Sequence, residues 1–369
     1  MDNCVIPHGY KATALGIIPQ EWEVMLLGNL SNSISSGRNK HRDAHGQYPV
    51  FGSTGIIGYS STYEYEGPVI LVARVGANAG TLNFASGQYD VSDNTLIITI
   101  KQNVYDYNFA YNQLTHYKLN KLVFGSGQPL ITSKQLKNIR IPVPPLAEQR
   151  KIAEVLGVWD KAIEKQARLI EKLALRKRAL MQRLLSAKLR LPGFSEPWKK
   201  VKLGDVAELY QPQTIQSEDL SQTGYPVYGA NGLIGYYNNY NHEYPQVVIT
   251  CRGSSCGTVN FTPGKCWITG NAMVLNVDNN RDVNKSFFYY LISNSSFVNL
   301  ISGSGQPQIV RQPLLKFELR IPPLKEQTAI AEVLTAADRE IDLAKEKFER
   351  LRRQKRGLMQ QLLTGKKRI

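Results

Sequence analysis

Apolar residues are laid out along this chain in two ways. In most of it they come in short dense runs broken by glycine, whereas in two stretches they recur in alternating steps of four and three among charged neighbours. In the first stretch the steps run Ile152, Leu156, Trp159, Ile163, Gln166, Ile170, Leu173, Lys177, Leu180 and Leu184. In the second they run Ile330, Leu334, Ala337, Ile341, Ala344, Phe348, Leu351, Lys355, Leu358 and Leu362. A narrow stripe of this period predicts one long helix per stretch, whose seam must be covered by another apolar surface. Both ladders break at the same rung, Lys177 and Lys355. The stretches are also copies: residues 145–191 and 323–369 align without gaps, 178 positions apart, and about half of the positions are identical.

Each stripe is the other's only match in the chain, so the pattern predicts that the helices pair with each other. The first leaves the N-terminal region and enters the middle region; the second leaves the middle region and ends the sequence. Pairing along their length is therefore antiparallel. About forty helical residues at about 1.5 Å each make a rod of roughly 60 Å. The alternative, a helix pair inside one globular core, calls for a wider apolar face and fewer charges.

Residues 1–144 read as α+β. The runs PVILVARV (68–75) and TLIITI (95–100) are rich in β-branched residues and predict buried strands. Residues 107–119 suit a helix, and IRIPVPPL (139–146), interrupted by three prolines, predicts a stiff connector into the first long helix. Residues 192–322 repeat this plan loosely. YPVFG (48–52) returns as YPVYG (225–229), GIIGY (55–59) as GLIGY (232–236), Arg74 as Arg252, Asn94 as Asn271, and GSGQP (125–129) as GSGQP (303–307). The chain is thus a tandem duplication: head 1–144, helix 145–191, head 192–322, helix 323–369. The heads agree mainly at turn glycines, prolines and a few aromatics, which are scaffold positions. If the heads bind, they should bind different things.

Charge adds a partner class. Lys and Arg number 45 against 30 acidic residues, a net +15 and a pI near 9.5, which suits a polyanion such as nucleic acid. The four segments carry +2, +7, +1 and +5 in chain order, so the helices hold most of it. The clusters 176–178 and 350–356 suit phosphates or an acidic protein, although a solvated helix face would read the same way. The sequence starts with no targeting segment, and no apolar run is long enough to span a bilayer, which predicts a cytoplasmic protein without membrane contact. Cys4, Cys251, Cys256 and Cys266 suit a reducing compartment and lack zinc spacing, so no metal is expected. No P-loop, no Asn-Pro-Pro-aromatic arrangement for holding an exocyclic amine, no zincin pair and no Asp/Glu-x-Lys nuclease signature occurs. A non-catalytic chain is expected.

The PPLxEQxxIAxVL opening of each long helix, the closing LMQxLL, the two GSGQP loops and the order head, helix, head, helix together resemble the specificity subunit of type I restriction-modification systems. The resemblance spans essentially the whole chain, with heads on the compact side for the family. It implies two pseudo-symmetric α/β target recognition domains, each reading one half of an asymmetric bipartite site in double-stranded DNA, held apart by an antiparallel coiled coil. It also implies two modification subunits that bind S-adenosylmethionine and methylate adenine, and restriction subunits that use ATP and Mg2+. None of these cofactors is expected on this chain. A DNA-binding architectural protein without enzyme partners, or an adaptor that binds only proteins, are the alternatives.

Base readout draws on polar side chains at groove edges, with phosphate contacts setting the register. In the first head the candidates are Arg38, Asn39, Lys40 and Arg42 in the densest basic loop, with Arg74, Asn78 and Gln128. In the second they are Gln211, Gln213 and Gln216 in the corresponding stretch, with Arg252, Ser254, Ser255 and Gln306. Arg74 and Arg252 could instead be buried partners of carboxylates. Gln128 and Gln306 recur in both heads, and so suit backbone contacts better than sequence discrimination.

Overall fold

The computed structural model describes residues 6–39, 43, 45–125, 129–229, 232–303 and 305–369. The chain divides into two compact units, Met1–Ala167 with Glu346–Ile369 and Arg168–Lys345, so each long helix contributes to both.

In the first unit a four-stranded antiparallel sheet runs in the order Ser31–Ser36, Thr95–Ile100, Val69–Ala73, Leu82–Ala85. Its two central strands are covered on both faces, which is why they read as dense apolar runs rather than alternating ones. Ile70, Val72, Leu96 and Ile98 enter the main core with the helix Tyr107–Tyr117 and with Ile152, Leu156, Met359 and Leu362 of the long helices. Val69, Leu71 and Ile97 face the other way, onto Tyr89 and Val91. Those two belong to a second, mixed sheet in which Gln88–Val91 lies parallel to Tyr48–Gly52. Asp106 starts the helix by accepting the amide of Phe109 at 2.9 Å. The proline-rich connector is a short strand, Arg140–Val143, paired antiparallel with Glu23–Leu26 before Leu146 opens the long helix.

The second unit repeats these parts. Its sheet runs Glu208–Tyr210, Ala272–Asn276, Val247–Thr250, Val259–Phe261. Val247, Ile249, Met273 and Leu275 pack with Leu184, Ile330 and Leu334 of the long helices, while Val248 and Val274 face Cys266 and Ile268. Asn284 caps the helix Lys285–Ser293, and Lys199–Lys202 pairs with Glu318–Ile321.

The long helices are Leu146–Leu184 and Leu324–Leu362, and they pack against each other antiparallel within each unit. Every position of both ladders is buried or half-buried. The helical part of each repeat ends before the repeat does, because Ala187 and Gly365 turn left-handed, at φ 58° and 71°, and fold the tail back. In the first unit Arg368 of that tail grips the Glu148 carboxylate with two hydrogen bonds, at 3.0 and 2.8 Å. In the second, Arg190 grips Glu326 at 2.6 and 2.8 Å. The two seam lysines find partners in the same way: Lys355 meets Asp160 and Lys177 meets Asp338, each at 2.5 Å. Gln149 locks the first head to its helix, donating to the carbonyls of Val104 and Pro144 and accepting from the amide of Asp106. Gln327 does the same with Asp282, Pro322 and Asn284. The PPLxEQ motif is therefore structural: its Glu binds the other helix's tail and its Gln binds the head.

Candidate nucleic-acid interface

In the first head, Gly37 turns the chain out of the strand Ser31–Ser36 close against its neighbour; a Cβ there would lie 2.3 Å from the carbonyl oxygen of Val91. Arg38 and Asn39 both donate their backbone N–H to that carbonyl, at 3.0 and 2.9 Å. The Asn39 side-chain amide donates to the Asp90 carboxylate, so this residue is tied into the head. Arg38 can reach outward: its side chain is 81% exposed, and a long 3.9 Å approach to Glu64 is a weak restraint. Lys40, Arg42 and Gln128 lie outside the described residues.

Beside this loop opens a polar cleft of about 320 Å3 lined by Asn39, Gly52, Ser53, Ile57, Ser92, Asp93 and Asn94. Arg74 is anchored next to it, its N–H donating to the Asn94 carbonyl at 2.9 Å. Asn39 thus lines the cleft with Arg38 beside it, whereas Arg74 joins its wall only through the backbone bond to Asn94. Ser92 to Asn94 line it as well, and the recurrence of Asn94 as Asn271 was the sequence signal for them. Asn78 sits apart, exposed on the turn whose Gly76 donates to the Pro129 carbonyl.

The second head builds the same edge from different side chains. Gln211 donates from Nε2 to the Gly270 carbonyl at 3.1 Å, and the Gln213 carbonyl accepts from Trp267 Nε1 at 3.3 Å. The Gln216 carbonyl accepts the amide of Asp219. All three glutamines are exposed. Arg252 pairs with Gln308 as a β-bridge, beside exposed Ser254 and half-buried Ser255, and Gly253 donates to the Pro307 carbonyl. Gln306 is exposed between the paired strands Ile301–Ser302 and Gln308–Ile309.

One sequence match needs correction. The amide of Arg74 donates to Asn94, and its counterpart donating to Asn271 is Cys251, not Arg252. Val75 bridges to Leu130 where Arg252 bridges to Gln308. Arg252 therefore corresponds to Val75, one residue along, and successive residues of extended backbone face opposite ways. Arg74 is half-buried and Arg252 exposed. Among the described residues neither guanidinium has a carboxylate within ion-pairing distance. The reading of both as buried partners of carboxylates therefore fails.

The basic clusters of the long helices divide. Arg176, Lys177 and Lys355 are committed to Glu340, Asp338 and Asp160, and Arg352 to Glu349. Arg178, Arg350, Arg353 and Arg356 are exposed and make no ion pair among the described residues. Burial pushes the Cys251 thiol up to about 11, so it stays protonated. Among the described residues no group of three His, Cys, Asp or Glu side chains could hold a metal ion, and no helix is long and apolar enough to cross a membrane.

Residues 19–174 and 195–353 each match the type I restriction modification DNA specificity domain. The type I restriction enzyme MjaVIII specificity subunit of Methanocaldococcus jannaschii is 24% identical, over 95% of this chain and 94% of that protein. A putative MjaX specificity subunit from the same organism is 26% identical over 98% and 97%. The fold matches a crystal structure of the S subunit of a type I restriction-modification system from M. genitalium, with TM-score 0.66 at 20% identity, covering 93% of this chain and 96% of that one. With this domain occurring twice across most of its length, the chain belongs to the type I restriction modification DNA specificity family.

Proposed function

We propose that this protein is the non-catalytic sequence-reading subunit of a type I restriction-modification complex. Each head reads one half of an asymmetric bipartite site in double-stranded DNA, and the paired helices set the gap between the halves. The observation that carries this reading is the double occurrence of the specificity domain in one chain whose two heads share a scaffold but present different polar edges: arginine and asparagine in the first, three glutamines in the second. Two adenine methyltransferase subunits carrying S-adenosylmethionine, and restriction subunits using ATP and Mg2+, are the partners that would supply the chemistry, in the cytoplasm. The repeated helix ends, with Glu148–Arg368 and Glu326–Arg190 as their matching clamps, offer two equivalent places for two copies of one partner.

The test is a map of methylated adenine in the host genome with the gene present and deleted. Loss of methylation at one asymmetric bipartite motif establishes both half-sites together; an unchanged map removes the methyltransferase partnership. Within the first half-site, Arg38→Ala with Lys40→Ala should cost about 1–3 kcal/mol for each base that the loop no longer reaches. Equal affinity of this variant for intact and mutated first half-sites would take the loop off the reading surface.

A further inference from the structure

Each head holds a bulged hairpin that carries aliphatic side chains out in water. In the first, Tyr48–Gly52 pairs with Gly55–Ser60, and the register slips between Val50 and Phe51 so that Ile57 is the extra residue of a bulge. In the second, Tyr225–Gly229 pairs with Gly232–Tyr237, and the slip between Val227 and Tyr228 leaves Ile234 as the extra residue. Ile57 lies across Gly52, where an added Cβ would fall 2.6 Å from its Cδ1; Ile234 lies across Gly229, 3.0 Å from the same construction. In the first head the bulged Ile57 is half-buried and Ile56 before it stands out, 54% exposed; in the second both Leu233, 51% exposed, and the bulged Ile234, 49% exposed, stand out beside the glycine. A lone exposed aliphatic residue needs no explanation. The same residue class at the same bulge in two heads that otherwise differ on their surfaces does, and bulges are a means of re-aiming a side chain.

The surroundings indicate what these tips meet. Ile57 lines the polar cleft shared with Asn39, Ser53 and Asn94, so the first tip borders the candidate reading edge. A two-stranded ribbon fits the major groove, and there the base pairs present one apolar group, the C5-methyl of thymine. We propose that Ile56 and Leu233 are apolar specificity contacts, each meeting a thymine methyl in the half-site read by its own head. This rests on the specificity-subunit reading and adds to it that the two half-sites share a thymine at the equivalent place.

The test uses the full chain in the complex that methylates the mapped site, with duplexes in which each thymine in turn is replaced by uracil, which removes only the methyl. One thymine per half-site should show an affinity loss of about fourfold, the worth of one buried methyl group. In Ile56→Ala the loss at the first half-site should vanish while the second persists, and in Leu233→Ala the reverse. A complex that tells its site from a scrambled duplex yet ignores every uracil overturns the inference and leaves the specificity reading intact. A complex that cannot tell the two duplexes apart overturns the specificity reading itself. If Ile56→Ala sheds the methyltransferase but keeps the uracil response, the tip is a protein contact and the inference is wrong.

Discussion

Ala187 occupies a left-handed backbone conformation, φ 58°, at the position where the second repeat has Gly365 at φ 71°. A side chain there strains the backbone by about 1–2 kcal/mol, so Ala187→Gly should raise the unfolding temperature of the second unit, offset in part by the added freedom of the unfolded chain. Gly365→Ala should do worse than mirror this, because its Cβ would also sit 2.3 Å from Cδ of Pro19. Thermal unfolding of the two variants checks both signs. His242 gives the second unit a pH dependence. Asn241 directs its amide nitrogen to the Ile268 carbonyl, so its oxygen faces His242 Nδ1 at 2.6 Å as an acceptor. Nδ1 must then carry the proton, leaving Nε2 to accept from the Tyr210 hydroxyl at 2.9 Å. Burial pushes this imidazole below its ordinary 6.5, against the opposing pull of Asp278. The unfolded chain therefore binds the proton more readily than the folded one. The stability from neutral His242 is present above about pH 6.5 and is lost as the pH falls below it toward the folded value. Unfolding followed from pH 7.5 to 5.5 should show this slope, and His242→Gln should flatten it. His116, lowered by burial and by Lys118 and Lys121, should leave a residual slope in the first unit.

The helix pair shows how like elements acquire unlike stability. Asp338 accepts from Lys177 at 2.5 Å and from the Tyr290 hydroxyl at 2.7 Å, whereas Asp160 accepts from Lys355 alone among the described residues. Asp338→Asn should therefore cost about 2 kcal/mol, in the range of hydrogen bonds to charged groups, and Asp160→Asn about 1 kcal/mol, near that of a half-exposed ion pair. Urea midpoints that fall equally for both would mean that Tyr290 adds nothing. The ladders were legible in the sequence because seam burial follows a local period, and all their positions are covered as that period requires. The lysine rungs read only as breaks. Their aspartates lie on the other helix, 161 and 195 residues away in sequence, where no local pattern reaches. The candidate loop 37–42 stands out in the sequence as a dense polar cluster, but nothing there shows that Asn39 would be held by Asp90. The register of Arg74 against Arg252 was misread because identical side chains suggested one alignment, while the backbone hydrogen bonds to Asn94 and Asn271 select another.

At the scale of the whole molecule, each long helix belongs to both compact units. If the paired helices set the gap between half-sites, their length is a variable separate from what the heads read. Removing one heptad from each helix, 163–169 from the first and 341–347 from the second, keeps both ladders in phase because the seam repeats every seven residues. The deleted segments are equivalent under the repeat and leave the lysine rungs and the terminal clamps in place. Seven residues correspond to about 10 Å of helix, roughly three base pairs at about 3.4 Å each. The shortened protein should methylate a site with the same two half-site sequences and a gap changed by about that number of base pairs, shown by an adenine methylation map of cells carrying only this variant. Deleting the heptad from one helix alone should unseat one ladder from the other and abolish methylation. If the matched deletion folds, methylates and retains the original gap, the helices do not measure the site, and the spacing must be set by the partner subunits.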